Sequence, residues 1–215
     1  MSPTPSPPRA RTRYALAAGL ALALGACDVK LPGSGPPPRL FTLEPKTTFD
    51  TEMPKVDWQL VVDPPQSPAS LDTVHIALRK GPVELEFYAD AEWTDRVPSM
   101  VHTLIIESFE NTGKIVAVGR QSIELRADYT LQTEIRHFEV EREGGVPAPH
   151  VRLIARLVKM PAREIVGERS CDYKTAAESD TLESVVVAFN EVLGRCIRRI
   201  VEWTLTSGQG PASAS

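Results

Sequence analysis

The stretch that most constrains this chain lies near its start. Three arginines, Arg9, Arg11 and Arg13, precede an apolar run from Tyr14 to Ala26, and the run closes as Leu24-Gly25-Ala26-Cys27. A basic region, a short apolar core and small residues before a cut site make a secretory signal. The run is too short for a comfortable membrane-spanning helix, which takes about 20 apolar residues. Residues 1–26 are therefore read as a segment removed on export, and the fold has to come from the rest. A plain signal peptide, or a buried apolar helix with a chance cysteine, is the alternative reading.

The cysteine directly after Leu24-Gly25-Ala26 resembles the lipobox of bacterial lipoproteins. That resemblance implies a diacylglycerol on the Cys27 thiol, removal of the signal and an acylated Cys27 as the first residue; it implies no cofactor besides this covalent acyl anchor. Asp28 to Pro38 (DVKLPGSGPPP) is rich in Pro, Gly and Ser and reads as a tether, so residues 27–38 form the anchor and spacer. Each buried acyl methylene contributes about 0.8 kcal/mol, so several chains hold a protein to a bilayer firmly.

Removing the signal, the tether and a small-residue tail over 207–215, read as disordered, leaves residues 39–206. That is a length for one domain with a real core. The chain holds 24 basic and 28 acidic residues. Losing Arg9, Arg11 and Arg13 leaves 21 basic against 28 acidic, a formal charge of −7 for the mature chain. That balance argues against nucleic acid as a partner and against a polybasic grip on anionic headgroups. Of the three cysteines, Cys171 and Cys196 remain after Cys27. In an exported chain they either pair, closing a loop worth on the order of 3 kcal/mol, or stay as two buried thiols.

Alternation predicts strands. Arg39 to Leu43 is short and extended, and Val56 to Val62 places Val56, Trp58, Leu60 and Val62 on one face. Thr73 to Arg79 and Val83 to Tyr88 flank Lys80-Gly81-Pro82 as a hairpin. Asp95 is a candidate N-cap for a helix with Pro98 in its first turn, Val97, Val101, Leu104, Ile105 and Phe109 at helical spacing, and Gly113 as its stop. Lys114 to Gly119 is a further strand. Tyr129 to Glu141 is the longest one. Its apolar side runs through Tyr129, Leu131, Thr133, Ile135 and His137, then switches to Phe138 and Val140, which predicts a bulge. Glu143-Gly144-Gly145 turns the chain into Val151 to Val158, and Glu164 to Arg169 is a weaker last strand. Asp180 and Glu183 fit a capping box. The helix after them carries an apolar stripe of Leu182, Val185, Val186, Phe189, Leu193, Cys196, Ile197 and Ile200. No internal repeat stands out. The fold class is α+β: one domain, a mostly antiparallel sheet and two amphipathic helices packed on one face.

The motifs of chemistry are missing. There is no G-x-S-x-G, H-E-x-x-H, Walker loop or C-x-x-C. His75, His102, His137 and His150 fall on separate elements without ligand spacing, so no metal site is expected. His137 beside Glu139 and Glu134 is either an acid/base pair or, the favoured reading, alternating charge on the wet face of a strand. Trp93 either caps the core or offers a partner contact at the start of the first helix. Arg195, Arg198 and Arg199 on the last helix either stay solvated or dock an acidic partner. On these grounds no enzyme is expected; a small envelope hydrolase would need a nucleophile beside a base.

Several blocks together resemble the ABC-type transport auxiliary lipoproteins, the PqiC-like family. They are the lipobox at Cys27, Arg39-Leu40-Phe41-Thr42-Leu43, and Ala91-Glu92-Trp93-Thr94-Asp95-Arg96-Val97-Pro98. Ala127-Asp128-Tyr129-Thr130-Leu131 running on to Phe138-Glu139, and a terminal amphipathic helix ending near Trp203, complete the set. The family carries a tyrosine where this chain has Phe41. The resemblance covers Arg39 to Trp203 and brings no catalytic residues with it. It implies a lipid-anchored, non-catalytic tether working with an MCE-type (mammalian cell entry) protein and an ABC transporter. Together these would move phospholipids or other hydrophobic molecules between the two membranes, the lipoprotein's own role being positional, with a homo-oligomeric ring as its form. It also implies the periplasmic face of the envelope. The well-known relatives favour the outer membrane, whereas Asp28 after the cysteine is an inner-membrane retention signal in enteric bacteria. The alternative is a stand-alone lipid carrier with a cavity between sheet and helices.

Overall fold

Two residue periods, two for strands and 3.6 for helices, build a sheet of eight strands and two helices in a computed structural model that describes residues 37–50, 52–121 and 126–208. The strands are β1 (Arg39–Phe41), β2 (Val56–Val62), β3 (His75–Lys80), β4 (Glu84–Trp93), β5 (Ile115–Gly119), β6 (Tyr129–Glu143), β7 (Val146–Lys159) and β8 (Glu164–Lys174). The helices are α1 (Val97–Thr112) and α2 (Leu182–Ser207). The fold is α+β. The signal segment, Cys27, most of the tether and the tail beyond Gly208 lie outside the described residues.

The long β6–β7 hairpin is the spine. It runs in register from Glu143 opposite Val146 to Tyr129 opposite Lys159, with one shift between Ile135 and His137. Gly144 and Gly145 turn it at φ 61° and 90°, the left-handed region that glycine enters without strain. The shift is the expected bulge, but it falls at Arg136. His137 is thereby turned away from the face that holds Ile135, while Phe138 and Val140 return to the core.

The free edge of β6 is shared. β2 pairs with its start at Leu60 opposite Tyr129, β3 pairs with its end at Leu78 opposite Val140, and Gln66 bridges to Glu134 between them. All these pairings are parallel, as are β1 with β4 and β2 with β5. The sheet is therefore mixed, although its longest ladders, β6–β7 and β7–β8, are antiparallel. β8 extends to Lys174, well past the expected end at Arg169.

Both helices join one apolar core with the sheet. The stripe of α2 buries Val185, Phe189, Leu193, Ile197 and Ile200. Its cap is Thr181, whose hydroxyl accepts from Ser184 N, rather than the expected Asp180. Asp180 instead faces the Arg142 guanidinium, at 2.7 Å, which holds its carboxyl below the usual value. At the start of α1, Arg96 rather than Asp95 occupies the cap position, because the Asp95 carboxylate turns back to the Arg96 N–H at 2.7 Å. Gly113 ends α1 at φ 60°. The last helix reaches Ser207, one residue into the expected tail, and Tyr129 donates its hydroxyl to Gly208 O at 2.9 Å.

Candidate functional site

On β6 the bulge decides what faces outward. Phe138 and Val140 point to the helices, so His137, Glu139 and Glu141 share the opposite face. The hairpin register sets His150 of β7 opposite Glu139, and β8 adds Lys174 opposite His150 and Asp172 opposite Arg152. β3 completes the group, because its parallel pairing onto the end of β6 brings Arg79 over Glu139.

The geometry is tight. His137 Nδ1 lies 2.7 Å from Glu139 Oε1, and His150 Nδ1 lies 2.8 Å from Glu141 Oε1. The other nitrogen of His150, Nε2, lies 2.7 Å from Asp172 Oδ1. The two imidazoles stack with centroids 4.4 Å apart and planes 13° from parallel. Arg79 donates to Glu139 Oε1 through Nε at 2.9 Å, and Phe138 N donates to Oε2 at 2.6 Å. Lys174 Nζ donates to Glu141 Oε2 at 3.1 Å. Glu139 is fully buried beneath these groups. The expected wet strand face is therefore corrected: a second layer of polar side chains covers the carboxylate. The expectation of four scattered histidines is corrected too, since pairing across the hairpin brings His137 and His150 together.

A buried carboxylate depends on its partners. Arg79→Met is expected to destabilise by about 2 kcal/mol, less than a fully buried pair would lose, because His137 and the Phe138 N–H stay on Glu139. The double variant with Glu139→Gln should recover most of that loss in denaturant titrations. No recovery would mean that the arginine acts by packing its stem.

Burial works to raise the Glu141 carboxyl, but hydrogen bonds from His150 and Lys174 outweigh it and hold it below the ordinary glutamate value of 4.5. A folded-state value below the unfolded one contributes stability that is complete above the unfolded value and lost as pH falls through the folded one. Glu141→Gln should therefore melt below wild type at about pH 6, with the gap shrinking at about pH 3.5. An equal gap at both pH values contradicts this.

The other residues singled out in the sequence fall elsewhere. Trp93 is corrected from a candidate docking residue to a core residue. It ends β4 rather than opening a helix, is 1% exposed, and packs edge-on against Phe138 and Phe189. Cys171 of β8 and Cys196 of α2 are joined as a disulfide. Arg195, Arg198 and Arg199 lie exposed along α2. Arg195 pairs with Glu191 one turn earlier, and Arg199 donates to the Tyr173 hydroxyl at 3.4 Å. Arg195 and Arg198 also border a groove against Glu44 to Thr47. Arg39 pairs with Glu183 in the first turn of α2, which fixes where the chain enters the fold. A larger open groove, about 680 Å³, lies on the strands, lined by Asp63, Arg126, Gln132, Met160 and Arg163 among others. The interface between sheet and helices, where a carrier would hold lipid, is filled by Leu131, Leu153, Phe189 and Ile197.

The chain is similar to known proteins over most of its length. Protein XCC0632 of Xanthomonas campestris has 30% identity and a TM-score of 0.75, covering 80% of this chain and 97% of that one. A second solved structure, of an uncharacterized protein, shares the fold at 13% identity with a TM-score of 0.63, over 78% of this chain and 99% of that one. The uncharacterized protein bll6063 of Bradyrhizobium diazoefficiens is 28% identical over 181 residues, 82% of this chain. The chain spans about half of that relative, 48% of its length. Residues 40–201 match the family profile described as ABC-type transport auxiliary lipoprotein component. That match runs from β1 through the apolar stripe of α2, and the chain belongs to the ABC-type transport auxiliary lipoprotein components.

Proposed function

We propose that this lipoprotein is anchored through acylated Cys27 at the periplasmic face of the envelope. There it serves an ABC transporter and an MCE-type protein that move phospholipids or other hydrophobic molecules between the inner and outer membranes. The observation that carries the reading is the family match over residues 40–201 behind a Leu-Gly-Ala-Cys sequence at Cys27. No helix among the described residues is long and apolar enough to cross a membrane, which fits attachment by acyl chains. The role is positional. The anchor fixes one end of the chain, Arg39 and Glu183 fix the point where the tether meets the fold, and the domain holds its partner within reach of the bilayer. The exposed Arg195, Arg198 and Arg199 offer positive charge to an acidic partner on an otherwise acidic chain.

The test is a crosslinked, detergent-solubilised pulldown from native membranes, with mass spectrometry of proteins and lipids. Wild type should recover an MCE protein and transporter subunits, and Cys27→Ala should leave the membrane fraction. Recovery of about one lipid per chain and no such proteins would overturn the reading in favour of a carrier.

A further inference from the structure

We propose that His137, His150, Glu139 and Glu141 form a site for a divalent cation of the zinc class on the outer face of the sheet. One ligand atom from each residue, two imidazole nitrogens and two carboxylate oxygens, lies within 4.8 Å of the other three. Two nitrogens and two oxygens suit zinc and its neighbours such as cobalt, nickel and copper, whereas magnesium and calcium take oxygen alone. In a tetrahedron with bonds of about 2.0–2.1 Å, neighbouring ligand atoms stand about 3.3 Å apart. The two N···O pairs, at 2.7 and 2.8 Å, need only small openings to reach that spacing, and the wider separations need closing by rotation about the side-chain bonds.

The surroundings already aim the ligands. Asp172 accepts from Nε2 of His150, which turns Nδ1 toward the site. A carboxylate behind a ligating imidazole fixes its tautomer and raises its basicity. Lys174 holds Glu141 by Oε2, and Phe138 N holds Glu139 by Oε2, so both Oε1 atoms face the histidines. All four ligands stand on paired strands joined by a tight turn, so little order has to be gained on binding. Glu139 is buried, but the His137 side chain is 31% exposed and gives the ion a path from solvent. The opposing groups are Arg79, which also lies on Glu139 Oε1, and Lys174; an entering dication takes the place of protons on Nδ1 and shares the carboxylates with these two cations. The site is independent of the transport role, since this chain holds all four ligands.

Full-length protein in detergent, stripped with a chelator and left unreduced to keep the Cys171–Cys196 bridge, is titrated with zinc chloride by calorimetry. Cobalt chloride is followed in parallel by visible absorption. Wild type should bind one equivalent, show the intense bands of four-coordinate cobalt, and melt higher with zinc. His137→Ala should weaken binding at least tenfold and lose those bands. Asp172→Asn leaves all four ligands in place and should weaken zinc roughly 10–100-fold with the cobalt bands kept. His75→Ala, a histidine of β3 outside the cluster, should bind as wild type does. No stoichiometric binding to wild type, or equal affinity in His137→Ala and wild type, overturns the proposal.

Discussion

Trp93→Ala is expected to destabilise the domain by about 3–5 kcal/mol, the cost of emptying a large aromatic site that cannot collapse. For a domain of this size that lowers Tm by roughly 10 °C. Three elements meet at this side chain. Trp93 ends β4, Phe138 comes from β6 and Phe189 from α2. The indole stands at 72° and 89° to the two phenyl rings, with centroids 5.9 and 5.3 Å away, and those rings stack on each other at 5.2 Å. Edge-to-face pairs add about 0.5–1.5 kcal/mol beyond area burial. The backbone is committed as well, since Trp93 N donates to Val74 O at 2.7 Å and Trp93 pairs with Phe41 of β1. Trp93→Phe keeps an aromatic ring in the site and should lose less than half as much. Chemical denaturation followed by circular dichroism measures both. A surface docking residue behaves differently, costing under about 0.5 kcal/mol when truncated. A loss that small for Trp93→Ala would return the residue to the surface.

Trp93 also shows where sequence reading stops. The 3.6-residue stripe from Val97 to Phe109 and the Gly113 stop were legible because a helix writes its own period. The residues before the stripe were not, because Ala91-Glu92-Trp93 alternates as a strand and ends β4 only through pairing with β1 and β3. Caps failed for a related reason. Asp180 and Asp95 are good cap residues by type, but an arginine 38 residues away in sequence and a neighbouring backbone N–H claim their carboxylates. The start of β7 was hidden by Pro147 and Pro149, which lack an N–H. Their carbonyls accept from Ala177 and Thr175, so their nitrogens face a stretch beyond β8 that offers donors and leaves no ladder bond broken. With that start hidden, His150 stood one residue before the expected strand at Val151, and its partner on the neighbouring strand went unread. A tight turn at Gly144-Gly145 counts directly to His150 opposite Glu139, so that half of the cluster was within reach of the sequence. Arg79 was not, since a parallel contact between β3 and β6 leaves no local mark.

Replacing Cys171 and Cys196 together by alanine is expected to cost on the order of 3 kcal/mol, a fall in Tm of roughly 6–12 °C. Reductant acting on wild type should give a similar loss. The bridge spans 25 residues of sequence and ties α2 to β8. Its main effect lies in the unfolded chain, where it removes the freedom of that loop. Its position also matters in the folded state. β8 pairs with β7 alone among the described strands, and its first half carries the exposed Ile165 and Val166. An edge strand of this kind opens before a central one. Both sulfurs are buried, so alanine is a better replacement than serine, which would bring a hydroxyl into an apolar site. Hydrogen exchange separates the two contributions. If the bridge acts only on the unfolded state, protection falls by the same factor across the most protected amides of β6, β7 and α2. If it also clamps the edge, the amides of Glu164–Lys174 lose more than those of β6. A loss below about 1 kcal/mol with unchanged exchange would mean that core packing alone holds α2 against the sheet.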